Sequence, residues 1–169
     1  SGGLSQNLPL KFFYAGPMFR YERPQKGRLR QFHQIGVELL GVADPIGDVE
    51  VIALGAAILD ALGVQGNTTL ELNTLGNTES RSAYRDVLIA YFSDHRSDLS
   101  AESQDRLERN PLRILDSKNE GDRRIVAGAP EFDDSLDAES RDFFAAVCAG
   151  LDALGIPWQR NSRLVRGLD

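Results

Sequence analysis

In Gly16-Pro17-Met18-Phe19-Arg20-Tyr21-Glu22-Arg23, Arg20 and Glu22 stand two residues apart and share one face of an extended strand. In the later stretch Arg28-Leu29-Arg30-Gln31-Phe32-His33-Gln34-Ile35-Gly36-Val37-Glu38, the same period gathers Phe32, Gln34 and Glu38. If the two faces coincide in a hairpin, one surface carries a guanidinium, a carboxylate, an aromatic plane, an amide and a second carboxylate. A guanidinium fork suits phosphate or carboxylate. Phe32 to Glu38 spans roughly 20 Å at about 3.3 Å per residue. That is the scale of an elongated ligand with a base at one end and an amino acid at the other.

Charge concentrates in the same place. Residues 1–43 hold six bases, five of them between Arg20 and Arg30 (Arg20, Arg23, Lys26, Arg28, Arg30), against Glu22 and Glu38. This region is therefore +4 in a chain of net charge −6, and the remainder carries −10. Such a balance argues against a protein that coats nucleic acid at large. A solvated basic hairpin is the plain alternative to an anion site. His33 falls on the opposite face from Gln34 and reads as structural. Asp48 and Glu50 read as the usual acids of a first helical turn rather than a metal pair.

The elements that must hold these residues are strands first. Leu10 to Tyr14 reads as one short strand, bounded by Ala15-Gly16-Pro17, and Met18 to Arg23 as a second. Pro24-Gln25-Lys26-Gly27 reads as a turn. From Ile35 on, Ile35, Val37 and Leu39 read as the core face. Asp48 to Leu62 reads as a helix with Val51, Leu54, Ile58 and Leu62 at helical spacing and Gly63 as its stop. Thr68 to Asn73 is strand-like. A helix then runs to about His95 with Tyr84, Val87, Leu88 and Tyr91 on one stripe. Ser100 is placed to cap another, ended at Asn110-Pro111. Residues 116–137 read as short helices and loops. Asp137 is placed to cap a last helix with Phe144, Val147, Cys148 and Leu151 inward, and Trp158 to Val165 reads as extended. The fold class is α+β with a helical insertion.

Composition bounds the rest. Apolar residues are 41% and charged residues 26% of the 169. No apolar run approaches the roughly 20 residues of a membrane helix. One cysteine, Cys148, leaves no internal disulfide and is expected in the core. With no initiator Met and no stop signal at Arg166-Gly167-Leu168-Asp169, the chain reads as a piece of a longer protein.

Arg20-Tyr21-Glu22, a loop, then Arg28 to Phe32 resembles the second signature motif of class II aminoacyl-tRNA synthetases. The fuller string from Gly16 to Glu38 resembles the histidyl-tRNA synthetase family. Arg163-Leu164-Val165-Arg166-Gly167-Leu168-Asp169 is similar to the start of that family's histidine-specific motif, without the two tyrosines that normally follow. Leu-Glu-Leu-Asn (70–73) and Asn-Pro-Leu-Arg-Ile-Leu-Asp-Ser-Lys (110–118) are similar to family segments too.

The resemblance implies an antiparallel class II catalytic sheet, in part, over residues 1–76, a mostly helical insertion domain over 77–160, and a return to the catalytic core at 161–169. It implies that ATP activates L-histidine to histidyl-adenylate, which is passed to tRNA-His. It implies that Arg20 and Arg166 are catalytic at the α-phosphate and also meet the histidine carboxylate. Arg28 would hold the γ-phosphate, Glu22 the adenine amino group, and Phe32 would stack on adenine. Gln34 and Glu38 would bind histidine, Glu38 at an imidazole N–H. Magnesium would accompany ATP with no dedicated protein cage. A homodimer in the cytoplasm, and a tRNA acceptor arm near the insertion, follow from the same resemblance. Two alternatives stand beside it. One is a non-catalytic paralogue that regulates the ATP phosphoribosyltransferase of histidine biosynthesis, which would be expected to erode the ATP-facing residues. The other is an RNA-sensing domain of a larger kinase.

Overall fold

A computed structural model describes residues 8–164. The described residues fall into two compact units divided after Gly63. The first is a hairpin and a helix. Strand β1 (Leu10–Phe19) pairs antiparallel with β2 (Gln31–Leu40), with Leu10 opposite Leu40 and Phe19 opposite Gln31. β1 is thus one strand where the sequence reads as two, because Pro17 does not break it. Arg20 N–H donates to Arg30 O at 2.9 Å. Counting back in twos along the ladder turns the Pro17 nitrogen away from β2, so its missing N–H costs the pair nothing.

Helix α1 (Pro45–Ala61) begins three residues earlier than its apolar pattern suggests. Asp44 caps it, its Oδ1 accepting from Ile46 N at 3.0 Å, and Pro45 supplies the fixed φ favoured in a first turn. Gly47 and Val49 are the buried residues of α1. A Cβ on Gly47 would stand 3.3 Å from Leu39 Cδ2, so the helix seats closely on the end of β2. The expected stripe of Val51 and Leu54 lines an open groove of about 210 Å³ shared with Phe12, Phe13, Val37 and Leu39. Ile35 is 63% exposed, so the expected inward face closes only from Val37 onward.

The second unit is mostly helical. It holds α2 (Thr78–Asp94), α3 (Ala101–Arg109), α4 (Glu120–Ala127) and α5 (Ala138–Ala153). Two short strands, β3 (Glu71–Leu72) and β4 (Gln159–Arg160), pair in parallel and bring the chain back beside its entry point. Each of these helices is capped by a side chain: Asn77, Ser100, Asn119 and Asp137 accept from the first-turn N–H groups. Such caps contribute about 1 kcal/mol each. The caps of α2 and α5 also interlock. Asn77 N–H donates to Ser140 Oγ at 3.3 Å and Asp137 N–H to Ser80 Oγ at 3.2 Å.

The core gathers on α2. Tyr84, Leu88 and Phe92 are buried with Leu107, Ile114, Leu115, Val126 and Phe132. Val87, expected on this stripe, is 41% exposed, and Phe92 takes the inward place. The Tyr84 ring meets Phe132 edge-on at 4.7 Å and its hydroxyl donates to Pro130 O at 2.9 Å. Burial pushes the Tyr84 phenol up to about 12, so it stays a neutral donor. On α5, Val147 and Leu151 are buried as expected, while Phe144 and Cys148 are partly exposed.

Candidate functional site

The register places opposite residues on one face of the hairpin. Met18 faces Phe32, Gly16 faces Gln34, Tyr14 faces Gly36 and Phe12 faces Glu38. Phe32, Gln34 and Glu38 therefore lie along one face of β2, as the period of two requires. Lys26-Gly27 makes the turn beyond the strands. Gln25 and Arg28 exchange N–H···O bonds of 3.2 and 2.8 Å, and Gly27 sits at φ +76°, where a side chain would be strained.

Arg20 continues β1 onto this face. Its Nε donates to Leu29 O at 2.8 Å, and its guanidinium lies 4.1 Å from the centre of the Phe32 ring. The hydrogen bond holds the guanidinium over the ring, which favours the cation electrostatically. Glu22 does not pair with Arg20. It forms an ion pair with Arg28 from across the turn. Arg30 donates to Glu22 O at 3.2 Å and lies 5.7 Å from the Tyr21 ring centre. Both faces expected to meet a nucleotide, the Phe32 ring and the Arg28 guanidinium, are thus partnered by the protein's own charges.

Further along the strand, Gln34 Nε2 donates to the Tyr14 hydroxyl at 2.8 Å. Tyr14 is a member of this face that sequence reasoning missed. The signal was present in its even spacing from Gly16, Met18 and Arg20, but the apparent break at Ala15-Gly16-Pro17 hid it. Glu38 is exposed beside the groove under α1, whose lining also includes the Lys11–Glu50 ion pair at 2.5 Å. Arg166 lies outside the described residues. Asn73, in the Leu-Glu-Leu-Asn segment, donates from Nδ2 to Leu164 O at 3.1 Å and so anchors the last described residue.

Among the described residues no group of three or more His, Cys, Asp or Glu is placed to hold a metal ion. Asp48 and Glu50 do not form such a group. His33 faces away from Gln34, opposite Pro17. No described helix is long and apolar enough to cross a membrane.

The densest polar cluster lies in the second unit, around the fully buried Asp122. Its Oδ1 accepts from Ser100 N–H at 2.8 Å, and its Oδ2 from the hydroxyls of Ser100, Ser103 and Ser117 at 2.6–2.7 Å. Burial alone would raise this carboxyl, but the Ser100 N–H and the three hydroxyls outweigh it and pull it to about 2. A carboxylate so saturated with donors ties α3 to α4 and has little left to offer a ligand.

Residues 2–80 match the histidyl-tRNA synthetase family profile. A histidine–tRNA ligase of Rhodospirillum rubrum is 65% identical over the whole chain, and one of Gluconacetobacter diazotrophicus is 57% identical. The chain spans 41% of each of these relatives. The crystal structure of apo Staphylococcus aureus histidyl-tRNA synthetase superposes with a TM-score of 0.73 at 35% identity, over 97% of this chain and 37% of that one.

Proposed function

We propose, from the similarity of this chain to histidyl-tRNA synthetases, that the complete protein is a histidine–tRNA ligase. In this reading ATP and L-histidine react to histidyl-adenylate and pyrophosphate, and the histidyl group then passes to tRNA-His. The observation that carries it is the hairpin face on which Arg20, Phe32, Gln34 and Glu38 line up in order.

The chemistry assigns each residue a task. The histidine carboxylate attacks the α-phosphorus, and the bond to the pyrophosphate leaving group breaks. Two anions meet in that step, so fixed positive charge must stand where charge develops. Arg20 is the described residue for that role, and Arg166 the second. Adenine would replace the Arg20 guanidinium on the Phe32 ring, releasing the fork toward the phosphate. The γ-phosphate would likewise exchange for Glu22 as partner of Arg28, freeing the Glu22 carboxylate to accept from the adenine amino group. Gln34 and Glu38 would bind histidine, Glu38 at an imidazole N–H. A carboxylate that expects a donor rejects side chains lacking one, because it would be left unpaired. Magnesium would enter with ATP, held by its phosphates.

The complete protein is proposed to work as a cytoplasmic homodimer, with residues 77–160 as an insertion domain beside the acceptor arm of tRNA-His. Residues 77–142 hold 16 acids and 10 bases, so any such contact is local to arginines rather than a broad basic surface. Histidine-dependent exchange of pyrophosphate into ATP by the complete protein tests the reading. No exchange with histidine and magnesium ATP present would overturn it. Unchanged tRNA affinity after deletion of the insertion would remove that domain's role alone.

A further inference from the structure

We propose that Asn73 is a positioning residue that sets the course of the chain into Arg166; this rests on the reading above, in which Arg166 meets the α-phosphate. The chain leaves for the helices of the second unit just past Asn73 and comes back at Gln159. Gln159 N–H donates to Leu70 O and Asn161 N–H to Leu72 O, both at 2.9 Å. The ladder stops there, because the returning chain turns. Arg163 N–H donates to Asn161 Oδ1 and Leu164 N–H to Asn161 O, both at 3.0 Å. Past that turn a side chain takes over from the backbone. Asn73 Nδ2 donates to Leu164 O at 3.1 Å and lies 3.5 Å from Ser162 O.

Two features separate this contact from the rest of the clasp. First, its direction is fixed. Both partners are backbone carbonyls, which only accept, so the amide nitrogen faces the returning chain and the oxygen faces away. Oδ1 is buried and has no hydrogen-bond partner among the described residues. A buried acceptor left unpaired costs stability, and a local cost without a local gain marks a functional site more than a frame. Second, the clasp does not need Asn73. Glu71 already ties the two strands, its Oε1 accepting from Gln159 Nε2 at 3.0 Å and its Oε2 from Asn161 Nδ2 at 2.9 Å. Asn73 acts beyond these bonds, on the last described residue. Arg166 follows two residues later, and two residues reach about 7 Å at most. A shift of the Leu164 carbonyl therefore passes to the backbone of Arg166. A catalytic group misplaced by about 1 Å loses much of its effect at a transition state.

The test measures single-turnover adenylate formation by the complete protein at saturating histidine and magnesium ATP. Arg166→Ala should slow it, as the reading above requires. Asn73→Ala, and Asn73→Asp, which keeps the volume but loses the donor, should each slow it about 10-fold or more. In the Arg166→Ala background the same Asn73 changes should alter the rate less than about twofold, because a positioning residue has no effect once the group it positions is gone. Asn73 variants that react at the unaltered rate would overturn the assignment. So would an undiminished slowing in the Arg166→Ala background, or loss of the folded state in both Asn73 variants, since a merely structural role predicts these. If the unaltered protein forms no adenylate, or Arg166→Ala slows nothing, the reading above falls and this assignment with it. An Arg166→Ala effect together with any of the failures above removes the assignment alone.

Discussion

The two units of this chain handle apolar surface in opposite ways. In the helical unit Leu88, Phe92, Ile114 and Leu151 are completely shielded from solvent. In the hairpin unit Val49 is the one buried large apolar residue among those described, while Phe13, Phe19 and Ile35 are 82%, 72% and 63% exposed. Polar groups follow the same division. Asp122 accepts four hydrogen bonds from serines of its own unit, whereas Glu22, Arg28 and Glu38 stand at the surface. One unit closes on itself. The other presents a sheet whose polar face carries Arg20, Gln34 and Glu38 and whose opposite face exposes Phe13, Phe19 and Ile35.

The largest effect should come from the core. Phe92→Ala in this chain should cost about 3–5 kcal/mol in urea unfolding, through lost burial and the cavity left behind. Phe13→Ala should cost under about 0.5 kcal/mol, as at other exposed sites. Equal costs would erase the contrast between the units. A much larger cost for Phe13→Ala in the complete protein would sharpen it, by showing that residues beyond this chain cover that face.

On the polar face, Arg20→Ala in the complete protein should slow single-turnover adenylate formation by about 10²-fold or more, since the lost charge serves the transition state. Glu38→Gln keeps the shape and removes the anion. It should raise KM for histidine by about 10-fold or more, with a smaller change in the chemical rate, because the imidazole does not change charge in that step. A collapsed rate with unaltered histidine dependence would place Glu38 at the wrong end of the ligand.

Asp122 tests the self-contained unit by pH. Its carboxyl lies at about 2 in the folded state against 3.8 in its unperturbed state, so it binds a proton less readily when folded. The stabilisation this provides is complete above about pH 4 and is lost as pH falls toward 2, amounting to about 2 kcal/mol. Unfolding of this chain measured at pH 6 and pH 3 should show about half of that loss, and Asp122→Asn should flatten it. An unaltered pH slope in the variant would deny Asp122 this role. The smallest effect belongs to the exposed Lys11–Glu50 pair: Lys11→Ala should change stability by less than about 1 kcal/mol, less still in high salt.

Local signals were legible where they depend on near neighbours. The caps at Ser100 and Asp137 follow from side chains that bond their own backbone within three residues, and the end of α3 at Asn110 follows from the proline after it. The face shared by Phe32, Gln34 and Glu38 follows from strand geometry alone. Pro17 was misleading for a tertiary reason: whether a proline breaks a strand depends on which side its nitrogen faces, and that is set by the partner. The first turn of α1 was hidden differently, since Asp44-Pro45 signals a helix start without any apolar period.

The sequence by itself determined the order of strands and helices, their caps and the alternation that separates a polar from an apolar face. It carried too, in the motif of Arg20, Glu22, Arg28 and Phe32, the resemblance to the histidyl-tRNA synthetase family. Only the tertiary structure decided which groups meet: Arg28 rather than Arg20 with Glu22, Tyr14 over Gly36 with its hydroxyl on Gln34, and three serines from two segments on Asp122. The physical reason is range. A strand's period and a helix cap are settled by steric and hydrogen-bonding choices within a few residues. Cross-strand partners and buried polar clusters depend on register and on chain returning from 22 residues away, as Ser100 does to Asp122, or from 63, as Ser140 does to Asn77. Spacing along the chain does not encode that.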